Sequence, residues 1–334
     1  MVFDLPLIWA LLIAFAILAY VVLDGFDLGV GILFPFLDGT RNRDTAMNSV
    51  APVWDGNETW LVLGGGGLFA VFPLAYAIIL PALYPLIIAM LLGLVLRGVA
   101  FEFRWKTEQR KHLWDWAFAG GSFVAALAQG IMLGALIQGI KVDGRAYAGG
   151  WFDWLSPFSV LTGLSLIIGY ALLGATWLIW KTDDYVQSRA YGFAWVLTLA
   201  LLVCIGAVSL WTPFLNPQFL ARWFAWPAIL YTAPVPLLTL FIAARLVIAV
   251  HDRREVAPFV ATLGLFALCY IGLGISVYPF IVPPSITIWD AAGPDTSLRF
   301  LLIGSAVLLP IILAYTAYAY WVFRGKVDTE GGYH

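Results

Sequence analysis

The sequence predicts an all-α, polytopic membrane protein with nine transmembrane helices, one integral membrane domain over residues 1–323 and a short polar tail. Three observations predict it. Of 334 residues, 62% are hydrophobic and 11% charged, with a mean hydropathy of +0.90. A soluble domain is about 45–50% apolar and about 25% charged, so this chain lacks the charge to cover a soluble surface. Second, eight stretches contain no Asp, Glu, Lys or Arg and are long enough for a crossing, which needs about 20 apolar residues. Third, the basic residues between these stretches fall heavily on alternate sides. The same composition excludes a disordered or nucleic-acid-binding chain. The net charge of −2 points to no polyanionic partner.

The uncharged stretches are 5–23, 59–96, 116–140, 154–180, 190–221, 223–244, 256–289 and 300–323. The second is too long for one span. Phe72-Pro73-Leu74 divides it, because proline disfavours helix continuation. Eight runs, one of them double, predict nine helices: helices 1–4 over about 5–140, helices 5–8 over about 154–282 and helix 9 over about 300–323. The first run is expected to persist as a span, because no Lys or Arg precedes Arg41 and a leader peptide carries a basic start. Helix 1 is expected to continue past Asp24 toward Phe34, and helix 2 to start near Pro52.

Orientation follows from basic residues in the connections. Fourteen fall on the side that holds Arg41, the loop after Arg97 and the C-terminus, against four on the other. The N-terminus is therefore expected outside, and the tail 324–334 in the cytoplasm. The outer loops 141–157 and 283–298 are short and carry Trp151, Trp154 and Trp289, which suit the interfacial belt.

Charge inside a span is the informative signal. A carboxylate at mid-helix costs about 2.5–3.5 kcal/mol on insertion scales, so each one is a functional hypothesis by default. Asp24 and Asp27 are three apart and share a helix face. Gly25 and Gly29 between and after them let another helix approach closely. From Leu5 to Asp24 is about 28 Å of helix, which places Asp24 toward the cytoplasmic side. In the run Trp54-Asp55-Gly56-Asn57-Glu58-Thr59-Trp60, Asp55 and Glu58 again share a face, about one turn into helix 2. Arg97 and Glu102, at the inner end of helix 3, fall at the same level, and Arg97 suits the role of counter-ion. Carboxylates and polar side chains near the cytoplasmic mouth can relay protons inward. Helix capping and an interfacial salt-bridge network account for the same residues. The structural role suits Asp27 and Glu102 better. The relay suits Asp55 and Glu58, which two Trp and an Asn flank; Asp24 fits both.

Tyr278 to Asp290 ends helix 8 on the outer face in a proline-rich run, read as a rigid loop that packs on a partner, with a quinone or cofactor edge as the sharper alternative. Gly64 to Gly67 cost helix propensity, about 1 kcal/mol each, offset by close packing against a helix or a flat ligand. His112 and His251 lie in charged loops and His334 ends the chain; Met90 and Met132 are the methionines well inside spans. No His-ligated heme and no metal site are expected in this chain. Cys204 and Cys269 read as small apolar residues.

These motifs carry a resemblance. Gly25-Phe26-Asp27-Leu28-Gly29, Trp54 to Leu61, Arg97-Gly98-Val99-Ala100-Phe101-Glu102-Phe103-Arg104 and the run 283–290 resemble subunit II of the bacterial cytochrome bd-type quinol oxidases, the cyanide-insensitive oxidases included, over essentially the whole chain. The resemblance implies two four-helix bundles plus one peripheral helix. It implies a heterodimer with a heme-bearing subunit I that holds two b hemes and one d heme, oxidises quinol on the outside and reduces oxygen to water with cytoplasmic protons. This chain would then ligate no heme, brace subunit I and line a proton-uptake path through Asp55, in the bacterial cytoplasmic (inner) membrane. A structural quinone and a one-span accessory subunit occur in some members. The competing reading is a proton- or cation-coupled secondary transporter with Asp24, Asp27, Asp55 and Glu58 as its ion site. The inner placement of the carboxylates and the absence of a recurring broken-helix pair oppose it.

Overall fold

The computed structural model describes residues 4–107 and 109–327. Thirteen helices follow in order: α1 (Leu5–Leu33), α2 (Thr40–Val50), α3 (Trp54–Val71), α4 (Pro73–Lys106), α5 (Lys111–Gln138), α6 (Pro157–Lys181), α7 (Asp184–Trp211), α8 (Pro217–Phe224), α9 (Ile229–Thr232), α10 (Pro234–His251), α11 (Ala257–Val277), α12 (Ile288–Ala291) and α13 (Asp295–Val322). Two short hairpins, β1 (Val142–Asp143) with β2 (Ala146–Tyr147) and β3 (Phe280–Val282) with β4 (Ile286–Thr287), fill the 141–155 and 278–288 connections.

Eight helical stretches are long and apolar enough to cross a membrane. Helix α3 falls short of that standard because Asp55, Asn57 and Glu58 occupy its first turns. Its 18 residues nevertheless run between the two ends of the molecule. Val71 O accepts from Gly293 N where α13 begins, and Asn57 meets Tyr320 where α13 finishes. The all-α, multi-pass character read from the sequence holds. So does the break at Pro73: α3 ends at Val71 and α4 opens on the proline, whose missing N–H costs nothing at a first helical position.

Other boundaries differ from expectation. The connection after α1 contains α2, a polar helix that hydropathy passes over. The run 223–244 yields one candidate span, shifted to Ile229–His251. Pro227 separates the end of α8 from it, Pro234 marks the joint where α9 passes into α10, and α10 continues to His251.

Helix α1 is the axis of the packing. It contacts α3, α5 and α6, and every residue from Asp24 to Gly31 is buried. Helices α4, α5, α6 and α7 each pack on the next, while α11 lies against α6 and α10, and α10 against α7. Two crossings bring backbones together. A Cβ on Gly29 would stand 1.8 Å from Tyr170 O, with Gly174 N at 2.7 Å, so α1 and α6 meet there without side chains. This is the close approach that the Gly25/Gly29 pair predicts. On the α4–α5 crossing, a Cβ on Gly121 would stand 2.4 Å from Gly93 O. Helix α13 lies on the periphery, and Leu298 is its one buried residue.

Candidate functional site

The i, i+3 spacing of Asp24 and Asp27 turns the two side chains about 60° apart, enough to serve different neighbours. Asp24 Oδ1 accepts from Arg97 Nη1 of α4 at 2.6 Å, and Arg97 Nη2 reaches Glu58 Oε2 of α3 at 3.1 Å. Arg97 is 0% exposed, Asp24 1% and Glu58 28%, so the group is closed on the α1–α4 side and open to the surface through Glu58. The Arg97 guanidinium lies 5.9 Å from the Trp54 ring centroid, and Trp54 stacks on Phe101 at 4.7 Å, which holds the cation from the surface side. Asp27 forms no ion pair among the described residues. Its Oδ2 accepts from Asn57 Nδ2 at 2.8 Å, and Asn57 Oδ1 accepts from the Tyr320 hydroxyl of α13 at 2.8 Å.

Two buried oxygens of the cluster, Asp24 Oδ2 and Asp27 Oδ1, have no hydrogen-bond partner among the described residues. Two carboxyl groups, Asp24 and Glu58, share the Arg97 guanidinium, and Asp27 lies buried beside them on the Asn57 amide. Burying unpaired carboxylate charge is expensive, and Arg97 is the cation that offsets it for Asp24 and Glu58. A polar file continues inward from Asp24. Tyr20 lies one turn away on α1, Gln129 Nε2 of α5 donates to its hydroxyl at 2.7 Å, and the Tyr170 hydroxyl of α6 donates to Gln129 Oε1 at 2.8 Å.

The structure brings together Asp24, Asp27, Asn57, Glu58, Arg97 and Trp54, as the sequence reading groups them. Asp55 stands apart, exposed on the first turn of α3 and in no hydrogen bond or ion pair among the described residues. It lies on the outward stripe with Val62, Gly66 and Phe69. Trp60 is buried, edge-on to Phe15 at 5.7 Å. Glu102 does not join the cluster. Five residues beyond Arg97 it points about 140° away, to the exposed face, where it pairs with Lys106 at 3.4 Å.

Sequence reasoning missed a second buried group. Arg104 is 0% exposed, donating to Asp44 Oδ1 and Asp115 Oδ1 at 2.6 Å each, and Arg43 Nη1 reaches Asp115 Oδ2 at 2.9 Å. These pairs tie α2, α4 and α5. Nothing in their spacing announces them, since loop charges pair only after helices are placed. Tyr20, Gln129, Tyr170 and Tyr320 were missed for the same reason. The run Tyr278–Asp290 packs on its own chain: Ile140 N donates to Pro283 O, and Trp289 Nε1 to Asp4 Oδ2. Of the tetraglycine run, Gly64 and Gly67 face Ile17 and Ile13 of α1, while Gly65 and Gly66 meet nothing within 4 Å. Among the described residues no three His, Cys, Asp or Glu gather as a metal site, and His112 and His251 are exposed. His334 lies outside the described residues.

The family model for cytochrome bd terminal oxidase subunit II matches residues 5–323. This chain belongs to that family. It is 32% identical to the cytochrome bd-I ubiquinol oxidase subunit 2 of Escherichia coli K12, over 98% of this chain and 96% of that protein. It is 29% identical to the cytochrome bd ubiquinol oxidase subunit 2 of Bacillus subtilis, over 96% of each. The bd oxidase structure from Geobacillus thermodenitrificans contains a chain that superposes with a TM-score of 0.75, covering 97% of this chain and all of that one. At 19% identity that likeness speaks for the fold. The chain is thus a subunit of a terminal oxidase, an oxidoreductase complex, and a multi-pass protein of the bacterial cytoplasmic membrane. Membership in the bd oxidase family displaces the transporter reading.

Proposed function

We propose that this chain braces the heme-bearing subunit I of a heterodimeric quinol oxidase and lines a proton-uptake path from the cytoplasm. One observation carries the reading: a buried, Arg97-centred carboxylate cluster toward one end of the membrane helices, opened to the surface by Glu58 and neighboured by the exposed Asp55. Asp55 and Glu58 form the entrance, and Asp24, Arg97, Asn57 and Asp27 the buried part. Quinol oxidation and oxygen reduction belong to subunit I, with its two b hemes and one d heme. The residues of this chain hold and move protons.

Nine crossings are proposed, with α3 as the second. The helix neighbours described above support two four-helix bundles, α1, α3, α4, α5 and α6, α7, α10, α11, with α13 at the edge. The N-terminus faces outside and Phe323 the cytoplasm. The fourteen-to-four bias of basic residues supports this, as do the opposite ends at which Asp4 and Phe323 lie. A carboxylate such as Asp55 on an outward stripe is costly against lipid. We therefore place subunit I over that face of α3, where Gly65 and Gly66 leave room for a helix.

The test is Asp55→Asn in the assembled oxidase, measured as quinol-driven oxygen consumption and as proton uptake on the cytoplasmic side. Both are expected to fall while heme content is kept. Full turnover with full uptake would remove Asp55 from the path.

A further inference from the structure

We propose that Tyr320, on the last helix, is a positioning residue of the carboxylate cluster: it anchors the oxygen end of the Asn57 amide, and so helps to hold Asn57 Nδ2 on the buried carboxyl of Asp27. This rests on the proton-path reading for its functional meaning and on hydrogen-bond geometry for its substance.

The two ends of the Asn57 amide are distinguished by a backbone carbonyl. One end lies 3.3 Å from Leu23 O and 2.8 Å from Asp27 Oδ2. Leu23 O can only accept, so this end is the NH2 group. The other end is then the carbonyl oxygen. The Tyr320 hydroxyl, 2.8 Å from it, must be the donor. Asp27 is fully buried, forms no ion pair and accepts one side-chain hydrogen bond among the described residues, from Asn57. The orientation of one amide therefore decides the environment of that carboxyl. Without the Tyr320 hydroxyl, the Asn57 oxygen loses its donor among the described residues, and the amide is held from its NH2 end alone, by Leu23 O and Asp27 Oδ2.

Tyr320 arrives in a fixed register although α13 packs loosely. Its ring sits edge-on to Phe26 at 6.5 Å and to Trp177 at 6.4 Å. One turn on, Lys181 Nζ of α6 donates to Phe323 O at 2.5 Å and to Gly325 O at 2.7 Å, so a lysine of the second bundle clamps the end of α13.

Tyr320→Phe keeps the ring and removes the hydroxyl. In the assembled oxidase, a carboxyl band of the redox-difference infrared spectrum, assigned to Asp27 by its loss in Asp27→Asn, is expected to shift in Tyr320→Phe. Turnover is expected to fall about three- to tenfold, the worth of one hydrogen bond. In an Asn57→Leu background, or Asn57→Ala where the larger side chain prevents assembly, Tyr320→Phe is expected to change nothing further. An equal effect of Tyr320→Phe with and without Asn57 overturns the inference, as does an Asp27 band that stays in place. Should Asp27→Asn itself leave turnover and proton uptake intact, the path reading fails, and the band still decides the role of Tyr320.

Discussion

Arg97→Met is expected to be the most damaging single change in the site, and its cost follows from burial. Methionine keeps the length of the side chain and removes both ion pairs. Asp24, 1% exposed, is then left in the core with its charge and no cation. Breaking a buried pair from one side costs about 3–5 kcal/mol. Glu58, 28% exposed, turns back to solvent, so its lost pair adds at most about 1 kcal/mol. The double variant Asp24→Asn with Arg97→Met removes charge and counter-charge together, and such paired removals are often close to neutral. The double variant should therefore be more stable than Arg97→Met alone, with a coupling of about 2–3 kcal/mol. Denaturant titration of the detergent-solubilised complex, followed by loss of tertiary absorbance, reads all three variants against the parent. If Arg97→Met is no less stable than the double variant, the buried pair is not what binds α1 to α4, and the reasoning from desolvation is wrong.

Asp55→Asn should leave stability within about 0.5 kcal/mol, because the residue is exposed and makes no side-chain bond among the described residues; a thermal scan beside the turnover assay separates a functional loss from a folding one. Gly29→Ala drives a methyl into the backbone of α6, and a loss of at least about 1–3 kcal/mol should appear as low yield of folded complex. Gly66→Ala has open space here and should raise helix propensity by about 1 kcal/mol, so loss of subunit I on purification of that variant would mean that the partner packs on this glycine. At the C-terminal segment, Lys326 Nζ bonds Glu255 Oε1 at 3.1 Å and, with Gln187, holds that carboxyl below the usual carboxylate range. A lowered carboxylate contributes above its unfolded value and stops contributing as pH falls through the folded one. Hydrogen exchange at Val327 N, bonded to Lys181 O at 2.8 Å, should therefore lose protection on acidification, and less so in Glu255→Gln; identical pH profiles would refute the contact.

The sequence by itself determined the solvent of this protein and most of its elements. Runs without charge state where helices must lie, because an unpaired backbone or a stray ion is prohibitive in hydrocarbon. Pro73 states where one run divides, since it lacks the N–H a helix interior needs. Gly25 and Gly29 announced a close crossing, and the motif residues Asp24, Asp27, Asn57 and Glu58 with Arg97 announced a cluster, because each is too costly in a span to be idle. Partners were beyond its reach. Tyr320 meets Asn57 across 263 positions, and nothing local marks that tyrosine among the others of α13. Glu102 reads as a neighbour of Arg97 by level alone, but the helix rotation between them sends it outward. Arg104 reads as a loop charge until α4 carries it inside against Asp44 and Asp115. The line between the two falls where the physics changes range. Burial of apolar surface and backbone hydrogen bonding act on neighbours along the chain and are legible there. Ion pairs and hydrogen bonds within the core act across helices, and only the packing of α1 against α3, α4, α6 and α13 decides which side chains meet.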